Sequence, residues 1–296
     1  MIERRCAALA AFLLLFAAIP AAQAARAVAE VEAVQMPAWL VRDSRRTALP
    51  LGTVLRNGDQ VETGAGSRVL LRLGDGSMVK LGENARFQLD GTGLARDDAP
   101  FSARMSVLAG AFRFTTTNLY GFSGKRQVEV RFPTVTARVT GTDLWGKAGV
   151  DREIVALIEG RVSVARKGTP PVDLNTPGSL YQALANAGVL PVETASDQTL
   201  AAYAAETEIA PGQGAASKSG KWRVYAARTA VREEAQAVYE RLLDAGYAAA
   251  IQPMQKEGAT IYQVRIPGLV SEADGVALVI RLRSELGLQD VSVSST

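Results

Sequence analysis

The sequence predicts an all-β N-terminal domain of sandwich or jelly-roll type, followed by a small two-layer α+β module with the order βαββαβ. Residues 38–167 alternate apolar and polar side chains and are interrupted by frequent glycine turns. Residues 211–220 are rich in Gly, Ser and Ala, which is typical of a flexible linker. Beyond that stretch, two amphipathic helical patterns alternate with short strands. The predicted domains are therefore 25–210 and 221–296.

The first 24 residues have the features of an export signal. Arg4 and Arg5 precede an apolar run of 13 residues, Ala7 to Ile19, and the small-residue triplet Ala22-Gln23-Ala24 follows. An uncleaved membrane anchor is the alternative, but a helix needs about 20 apolar residues to span a bilayer. We expect cleavage after Ala24, a periplasmic mature protein, and no transmembrane segment after cleavage.

The β region is defined by period-two alternation and turn signals. Val69, Leu71 and Leu73 alternate with arginines, and Asp75-Gly76 lies between two alternating runs as a hairpin turn. Residues 154–158 are apolar on both faces, as expected for a strand between packed layers. Many short strands without intervening helices favour a sandwich. Two short helix-like pieces, 179–187 and 197–208, are predicted to end this domain.

The C-terminal module is predicted from two amphipathic helices between short strands. Thr229 is expected to open the first helix and Gly246 to close it, whereas Ser271 caps the second, which ends at Gly287. The strands are expected at 222–226, 247–254, 260–266 and 291–293. The apolar helix faces are Val231, Ala235, Val238 and Leu242 in the first helix, and Val276, Val279, Ile280 and Leu286 in the second.

The module resembles a SPOR domain in three stretches. These are Trp222-Arg223-Val224, the helix end Leu242-Leu243-Asp244-Ala245-Gly246-Tyr247, and Ile261-Tyr262-Gln263-Val264-Arg265-Ile266. The resemblance implies a periplasmic module that binds peptidoglycan, preferentially glycan strands stripped of their stem peptides. It also implies a place in the cell envelope, with cell division as one setting.

The upstream region resembles a FecR-type domain. The residues concerned are Leu51-Gly52, 58–64, 73–77, Thr140-Gly141-Thr142-Asp143, 159–164 and 204–208. The resemblance implies an interaction or sensing module. An envelope signalling regulator with little glycan binding remains the alternative function.

One sheet face of the module is expected to be open, because both helices cover the other. If Val224 and Ala226 point toward the helices, Tyr225 and Ala227 point away from them. Tyrosine offers a flat apolar ring to a sugar, glutamine offers a donor and an acceptor, and arginine binds carboxylates, here those of muramyl groups. An ordinary solvated face is the alternative on residue types alone. The predicted glycan-binding residues are Arg223, Tyr225, Arg228, Ile261, Gln263 and Arg265.

Charge separates the two domains. Residues 38–168 contain 20 Lys and Arg against 13 Asp and Glu, whereas residues 221–296 contain nine of each. A neutral module is poorly suited to a phosphate backbone, so we expect no nucleic-acid partner. The basic surplus of the β domain favours a contact region for an acidic envelope protein, with Arg68 and Arg72 on one strand face. The alternatives are anionic headgroups, of teichoic acid or lipid, and scattered solvated arginines without a partner.

The composition removes most catalytic chemistries. The chain has no histidine, and its one cysteine, Cys6, precedes the expected cleavage site. Catalytic triads based on histidine, and sites in which His or Cys ligates a metal, are thereby excluded, and we expect no catalytic residue, metal or cofactor. Carboxylate pairs such as Asp75 with Glu83, or Glu153 with Glu159, leave a cell-wall hydrolase as a weaker alternative. Each lies beside a turn or strand end, where charged residues are usual, so the sequence predicts a protein that is not an enzyme.

Overall fold

The computed structural model describes residues 29–93, 100–116 and 126–295. The expected signal segment and its cleavage site after Ala24 lie outside the described residues. Within them, no helix is both long and apolar enough to cross a membrane. The chain is mostly β, with 53% of it in strands, and this confirms the predicted all-β class of the N-terminal domain.

The β domain consists of strands joined mainly in antiparallel ladders, with one parallel pair formed by residues 101–106 and 126–131. Its largest fully buried side chains include Phe87 and Phe112, whose rings stack with centroids 6.2 Å apart. The strands are β1 (Ala29–Gln35), β2 (Ala38–Arg42), β3 (Arg45–Ala48), β4 (Gln60–Thr63), β5 (Arg68–Leu73), β6 (Met78–Leu81), β7 (Arg86–Gly93), β8 (Phe101–Thr115), β9 (Arg126–Arg131), β10 (Val135–Ala148), β11 (Arg152–Arg166), β12 (Val172–Leu174), β13 (Ser179–Leu184) and β14 (Glu193–Thr194).

Three long strands, β8, β10 and β11, change partners part-way along, and each does so near a glycine with positive φ. β8 leaves β7 and joins β10 at Gly110 (φ 80°). β10 leaves β9 and joins β8 beyond Gly141 (φ 142°), and its ladder with β11 is irregular there, opposite Gly160 (φ 89°). Residues with a Cβ rarely adopt these angles, so the glycines allow each strand to bend and to pair with different strands along its length.

The end of the β domain differs from the prediction at one of its two helix-like pieces. Residues 197–208 do contain a helix, α1 (Asp197–Ala205), capped by Ser196. Residues 179–187 instead contain strand β13, which pairs with β11. β13 is buried along almost its whole length, so both of its faces are apolar and the alternation that identifies a strand is absent.

Helix α1 is attached to the sheet by stacking and by ion pairs. The ring of Tyr203 lies parallel to that of Trp145 with centroids 4.0 Å apart. Beyond the helix, Glu206 pairs with Lys147 at 2.9 Å, and Glu208 pairs with Arg113 at 2.9 Å. These contacts hold residues 203–208 against β8 and β10.

The C-terminal module has the predicted βαββαβ order. Its sheet runs β19, β16, β18, β17, all antiparallel. Val224 and Ile266 are fully buried against Leu242 and Leu282 of the two helices, which therefore cover one sheet face. The elements are β16 (Trp222–Thr229), α2 (Arg232–Asp244), β17 (Ala250–Lys256), β18 (Ala259–Leu269), α3 (Glu272–Leu286) and β19 (Ser292–Ser295).

The helix ends agree largely with the sequence. Ser271 accepts a hydrogen bond from the Asp274 N–H, and Gly287 ends α3 in the left-handed conformation. The N-cap of α2 is Val231, two residues after Thr229, whose hydroxyl accepts from the Val231 N–H. The predicted apolar face of α3 is partly wrong, because Val276 and Ile280 are 46% and 62% exposed. Leu278 and Leu282 occupy the core instead.

Residues 211–220 are not a flexible tether, in contrast to the prediction. Residues 215–217 form strand β15 (Ala215–Ser217), which pairs with β1 of the β domain and touches β18 of the module. The buried Asp274 carboxylate accepts hydrogen bonds from the N–H groups of Gly214 and Ala215, at 3.2 and 3.0 Å. The small side chains at 215–217 permit this close fit between two sheets.

The two domains are also in direct contact beside β15. The indole Nε1 of Trp39 donates to the carbonyl of Asp244 at 3.0 Å, and the N–H of Ala38 donates to the carbonyl of Gly246 at the same distance. A Cβ on Gly246 would lie 2.6 Å from the Trp39 ring. The β domain therefore packs on the C-terminal end of α2.

Candidate ligand-binding face

The module's sheet has a second face, opposite the helices, and strand pairing shows which residues share it. Tyr225 of β16 pairs with Arg265 of β18 on one side and with Ser292 of β19 on the other. Directly paired residues of antiparallel strands point to the same side of the sheet. By the same pairing, the residues of this open face are Arg223, Tyr225, Arg228, Ala250, Gln252, Met254, Lys256, Ile261, Gln263, Arg265, Pro267, Ser292 and Ser294.

A β-bulge in β16 alters the predicted orientation of two residues. The register shifts between Tyr225 and Ala227, so that Ala227 pairs with the core residue Val264, and Arg228 pairs with Gln263. Ala227 therefore turns toward the helices and not outward, as simple alternation predicts. Arg228 takes the outward position, on the same face as Tyr225.

Arg228 is in contact with the tyrosine ring. Its guanidinium carbon lies 3.8 Å from the centroid of the Tyr225 ring, and its Nη1 donates to the Ser292 hydroxyl at 3.3 Å. This is cation–π geometry. An aromatic ring and a guanidinium are thus held together at the middle of the open face.

The arginines of this face have no acidic partner among the residues that the structure describes. Arg223, Arg228 and Arg265 form no ion pair with any described residue, and the Nε groups of Arg223 and Arg265 are buried without a hydrogen-bond acceptor. None of the open-face residues given above is acidic. A guanidinium without a counter-charge is a potential anion-binding group.

Gln263 and Ile261 lie further along β18. Gln263 is only 7% exposed, because it is flanked by Arg228 and Gln252, and its Nε2 lies 3.6 Å from the Met254 sulfur. Ile261 pairs with Met254, which is 42% exposed. Gln263 is therefore on the expected face but is less accessible than sequence alternation suggests.

Comparison with protein-family models identifies both domains. Residues 59–163 match the model "FecR protein", and residues 218–294 match the model "SPOR domain". The chain combines a FecR domain with a C-terminal SPOR domain. Both predicted resemblances are thereby confirmed.

No curated protein matches the chain. Two crystal structures of a candidate anti-sigma factor from Parabacteroides distasonis are similar over 80% of this chain, and over 99% and 98% of theirs. Their sequence identities are 15% and 16%, and both TM-scores are 0.40, so we draw no conclusion from this similarity.

The basic residues singled out in the FecR domain are not the free surface that the sequence suggests. Arg72 pairs with Glu30 at 2.7 Å and with Glu32 at 2.5 Å, while Arg68 donates to the Ser67 carbonyl. Both arginines are only partly exposed. The charge of Arg72 is therefore used within the chain, and Arg72 is a poor candidate for contact with an acidic partner.

The carboxylates considered for catalysis have structural contacts. Asp75 is 2% exposed, accepts a 2.6 Å hydrogen bond from Arg126, and binds the Ser77 hydroxyl at 2.6 Å. Glu153 accepts from the N–H of Thr134. No group of three or more potential metal ligands occurs in the described ranges. These acids stabilise turns and corners of the FecR domain.

Sequence reasoning missed part of the SPOR face. Gln252 and Met254 of β17 and Ser292 of β19 are brought beside the expected residues by strand pairing. The period-two pattern of β17 would have placed Gln252 and Met254 on one face. Which face could be decided only by knowing the register with β18.

Proposed function

We propose that this protein is a periplasmic, non-enzymatic protein that binds peptidoglycan through the open face of its SPOR domain. The preferred ligand is glycan stripped of stem peptides. The FecR domain serves as an interaction or sensing module that is rigidly joined to the glycan-binding module. SPOR domains bind peptidoglycan, and proteins with FecR and SPOR domains are associated with the cell envelope, which supports this assignment.

One observation carries the proposal. Three arginines, Arg223, Arg228 and Arg265, share a sheet face with Tyr225, and they form no ion pair with described residues. Elsewhere in the chain, partly buried arginines such as Arg42 and Arg113 have carboxylate partners. A cationic face with an aromatic ring at its centre suits a sugar chain that carries carboxylates.

The chemistry follows from the residue types. Removal of a stem peptide by an amidase leaves a free carboxylate on each muramyl sugar. Arg265 and Arg223 provide guanidinium donors for such groups, and Gln263 provides a donor and an acceptor for hydroxyl or acetamido groups. Tyr225 provides the flat apolar surface on which a sugar ring packs.

The FecR domain offers a different surface from the one expected. A groove of about 720 Å³ is lined by Arg104, Arg126 and Arg138, and also by the acids Asp90 of β7 and Glu129 of β9. Arg138 is 66% exposed, and its ion pair with Glu129 is long, at 3.4 Å. We place the contact with an acidic envelope partner here rather than at Arg68 and Arg72. Such a contact should weaken with salt, because surface charges are screened.

A pull-down with sacculi tests the proposed function. Protein lacking residues 1–24 is sedimented with intact sacculi and with amidase-treated sacculi. We expect more binding to the treated material, and a loss of roughly tenfold in affinity for Tyr225→Ala or Arg265→Ala, on the scale of a central interface residue. Arg232→Ala is the matched control, because Arg232 begins α2 in the helix layer. Equal binding to both materials would refute the ligand assignment.

The same assay separates the two alternatives. Release of soluble muropeptides from sacculi by the purified protein would favour a hydrolase, and Asp75→Asn would be the first variant to test. Absence of sedimentation with either material would favour a signalling regulator with little glycan binding. We expect neither result.

A further inference from the structure

A bulge in β16 gives Arg228 a role on the open face, and this role rests on the function proposed above. Tyr225 and Arg228 are three residues apart, so in a regular strand they would point to opposite faces. The bulge between Tyr225 and Ala227 inserts one extra residue and brings both side chains to the open face. Because of the bulge, an arginine lies over the aromatic ring.

The contact blocks one face of the ring. The Arg228 guanidinium carbon lies 3.8 Å from the Tyr225 centroid, which is stacking distance, and its Nη1 donates one hydrogen bond, at 3.3 Å, to the Ser292 hydroxyl. A sugar ring cannot pack on that side of Tyr225 while the guanidinium occupies it. The arginine is nevertheless exposed and has no carboxylate partner among the described residues, so it is able to move.

We infer that Arg228 is a specificity residue that covers the Tyr225 ring until a carboxylate on the sugar draws it away. A glycan with a free muramyl carboxylate compensates for the lost stack by forming a charge-assisted hydrogen bond with the guanidinium. A glycan whose carboxylate has become an amide must displace the arginine without forming such a hydrogen bond. Stem peptides are attached through that amide, so Arg228 discriminates stripped strands from peptide-bearing strands by charge.

Arg228 and Arg265 have different parts in this scheme. Arg265 pairs directly with Tyr225 across the strands, and its Nε is buried, so its side chain is a fixed part of the sheet surface. Arg228 is the exposed group above the ring. Loss of Arg265 should weaken binding without uncovering the Tyr225 ring, whereas loss of Arg228 should also make the ring accessible to a glycan whose carboxylate is an amide.

The test uses the mature chain and two probes made from one preparation. Amidase-treated sacculi are used directly, or after their carboxyl groups have been converted to amides by coupling with methylamine. The proteins are wild type, Arg228→Gln, Arg228→Lys and the helix-layer control Arg232→Gln. Melting curves check that each variant is folded, as expected for substitutions of exposed residues.

We expect wild type to prefer the carboxylate probe. Arg228→Gln should bind that probe about tenfold more weakly, the scale of one charge-assisted hydrogen bond. It should bind the amide probe roughly two- to fivefold more tightly, because the cation–π contact no longer covers the ring. Arg228→Lys should keep part of the preference, and Arg232→Gln all of it.

The outcomes distinguish this inference from the proposed function. If wild type binds the stripped glycan and Arg228→Gln retains the full carboxylate preference, the role of Arg228 is wrong while the proposed function stands. If wild type prefers the amide probe, the inference is also wrong. If wild type binds neither probe, the proposed function fails and the inference fails with it.

Discussion

Gly246 provides a quantitative test of the contact between the two domains. It follows α2 with φ of 83°, and a Cβ there would lie 2.6 and 2.7 Å from two Trp39 ring atoms and 3.0 Å from the Pro37 Cβ. The Trp39 ring cannot retreat freely, because Arg46 stacks on it at 3.7 Å. Gly246→Ala should therefore add a steric clash between domains to the ordinary strain of a left-handed alanine.

The magnitude follows from two contributions. A left-handed residue with a Cβ costs about 1–2 kcal/mol, and overpacking a rigid contact costs about 1–3 kcal/mol. Gly246→Ala should reduce the free energy of unfolding by about 2–5 kcal/mol. Gly287→Ala is the matched control, since Gly287 also ends a helix with positive φ, at 61°, but a Cβ there has no neighbour within 4 Å. It should cost only the strain, about 1–2 kcal/mol.

Urea denaturation of the mature protein measures both costs. A double variant with Trp39→Ala isolates the clash, because removal of the ring should reduce the cost of Gly246→Ala to that of Gly287→Ala. If Gly246→Ala destabilises no more than Gly287→Ala, the Trp39 ring does not pack on Gly246 in solution. The described contact between the domains would then be wrong.

Three further substitutions test other parts of the fold. Asp274→Ala leaves the N–H groups of Gly214 and Ala215 without their acceptor and should reduce the free energy of unfolding, measured in urea, by about 3 kcal/mol. The control Asp290→Ala, at an exposed residue, should reduce it hardly at all. Equal reductions would show that residues 211–217 are a loose tether. Gly110→Ala places a Cβ 2.6 Å from the Ala85 Cα and should reduce the free energy of unfolding more than Gly141→Ala, where positive φ is the only obstacle. The reverse order would contradict the close approach of β8 to Ala85. Burial raises the pKa of Asp59, but hydrogen bonds from Arg42 and the Arg56 N–H lower it by more, so the pKa in the folded protein lies below its usual value. The stability that Asp59 contributes is therefore lost as the pH falls from about 5 through the folded pKa. Asp59→Asn should lose less stability than wild type on acidification, and equal losses in the two proteins would contradict this.

The sequence predicted those elements that are determined by residues close together in the chain. The cap at Ser271 and the left-handed Gly287 were foreseeable, because capping depends on residues close in sequence. Positive φ at Gly76 was foreseeable in the same way, because it lies in a turn next to Asp75. The βαββαβ order followed from helical periodicity between short alternating runs.

The errors have tertiary causes. In β13, Leu180 packs beneath α1 while Tyr181 packs in the main core, so both faces are buried and no period of two remains. At Ala215 and Ala216, small side chains fit a tight strand as well as they fit a tether, and only the neighbouring strands β1 and β18 decide between them. Local propensity carries no information about such partners.

The candidate site was foreseeable only in part. Alternation along β16 and β18 placed Arg223, Tyr225, Gln263 and Arg265 on one face, and strand pairing agrees. The bulge that turns Ala227 inward was not foreseeable, because nothing in the run Tyr225 to Arg228 marks one. The residues contributed by β17 and β19 depend on register, which is fixed by the packing of both helices on the other face.

Mapping a defined glycan on the isotopically labelled mature protein by NMR tests the central claim most directly. A short amidase-produced glycan oligomer is titrated in, and backbone amide shifts are followed. We predict that the largest changes fall at residues 223–228 and 261–265, with smaller ones at Gln252 and Ser292 and none along the outer surface of α2. Shifts concentrated on the helices or on the FecR domain, with β16 and β18 unaffected, would contradict the assignment of the open sheet face as the glycan site.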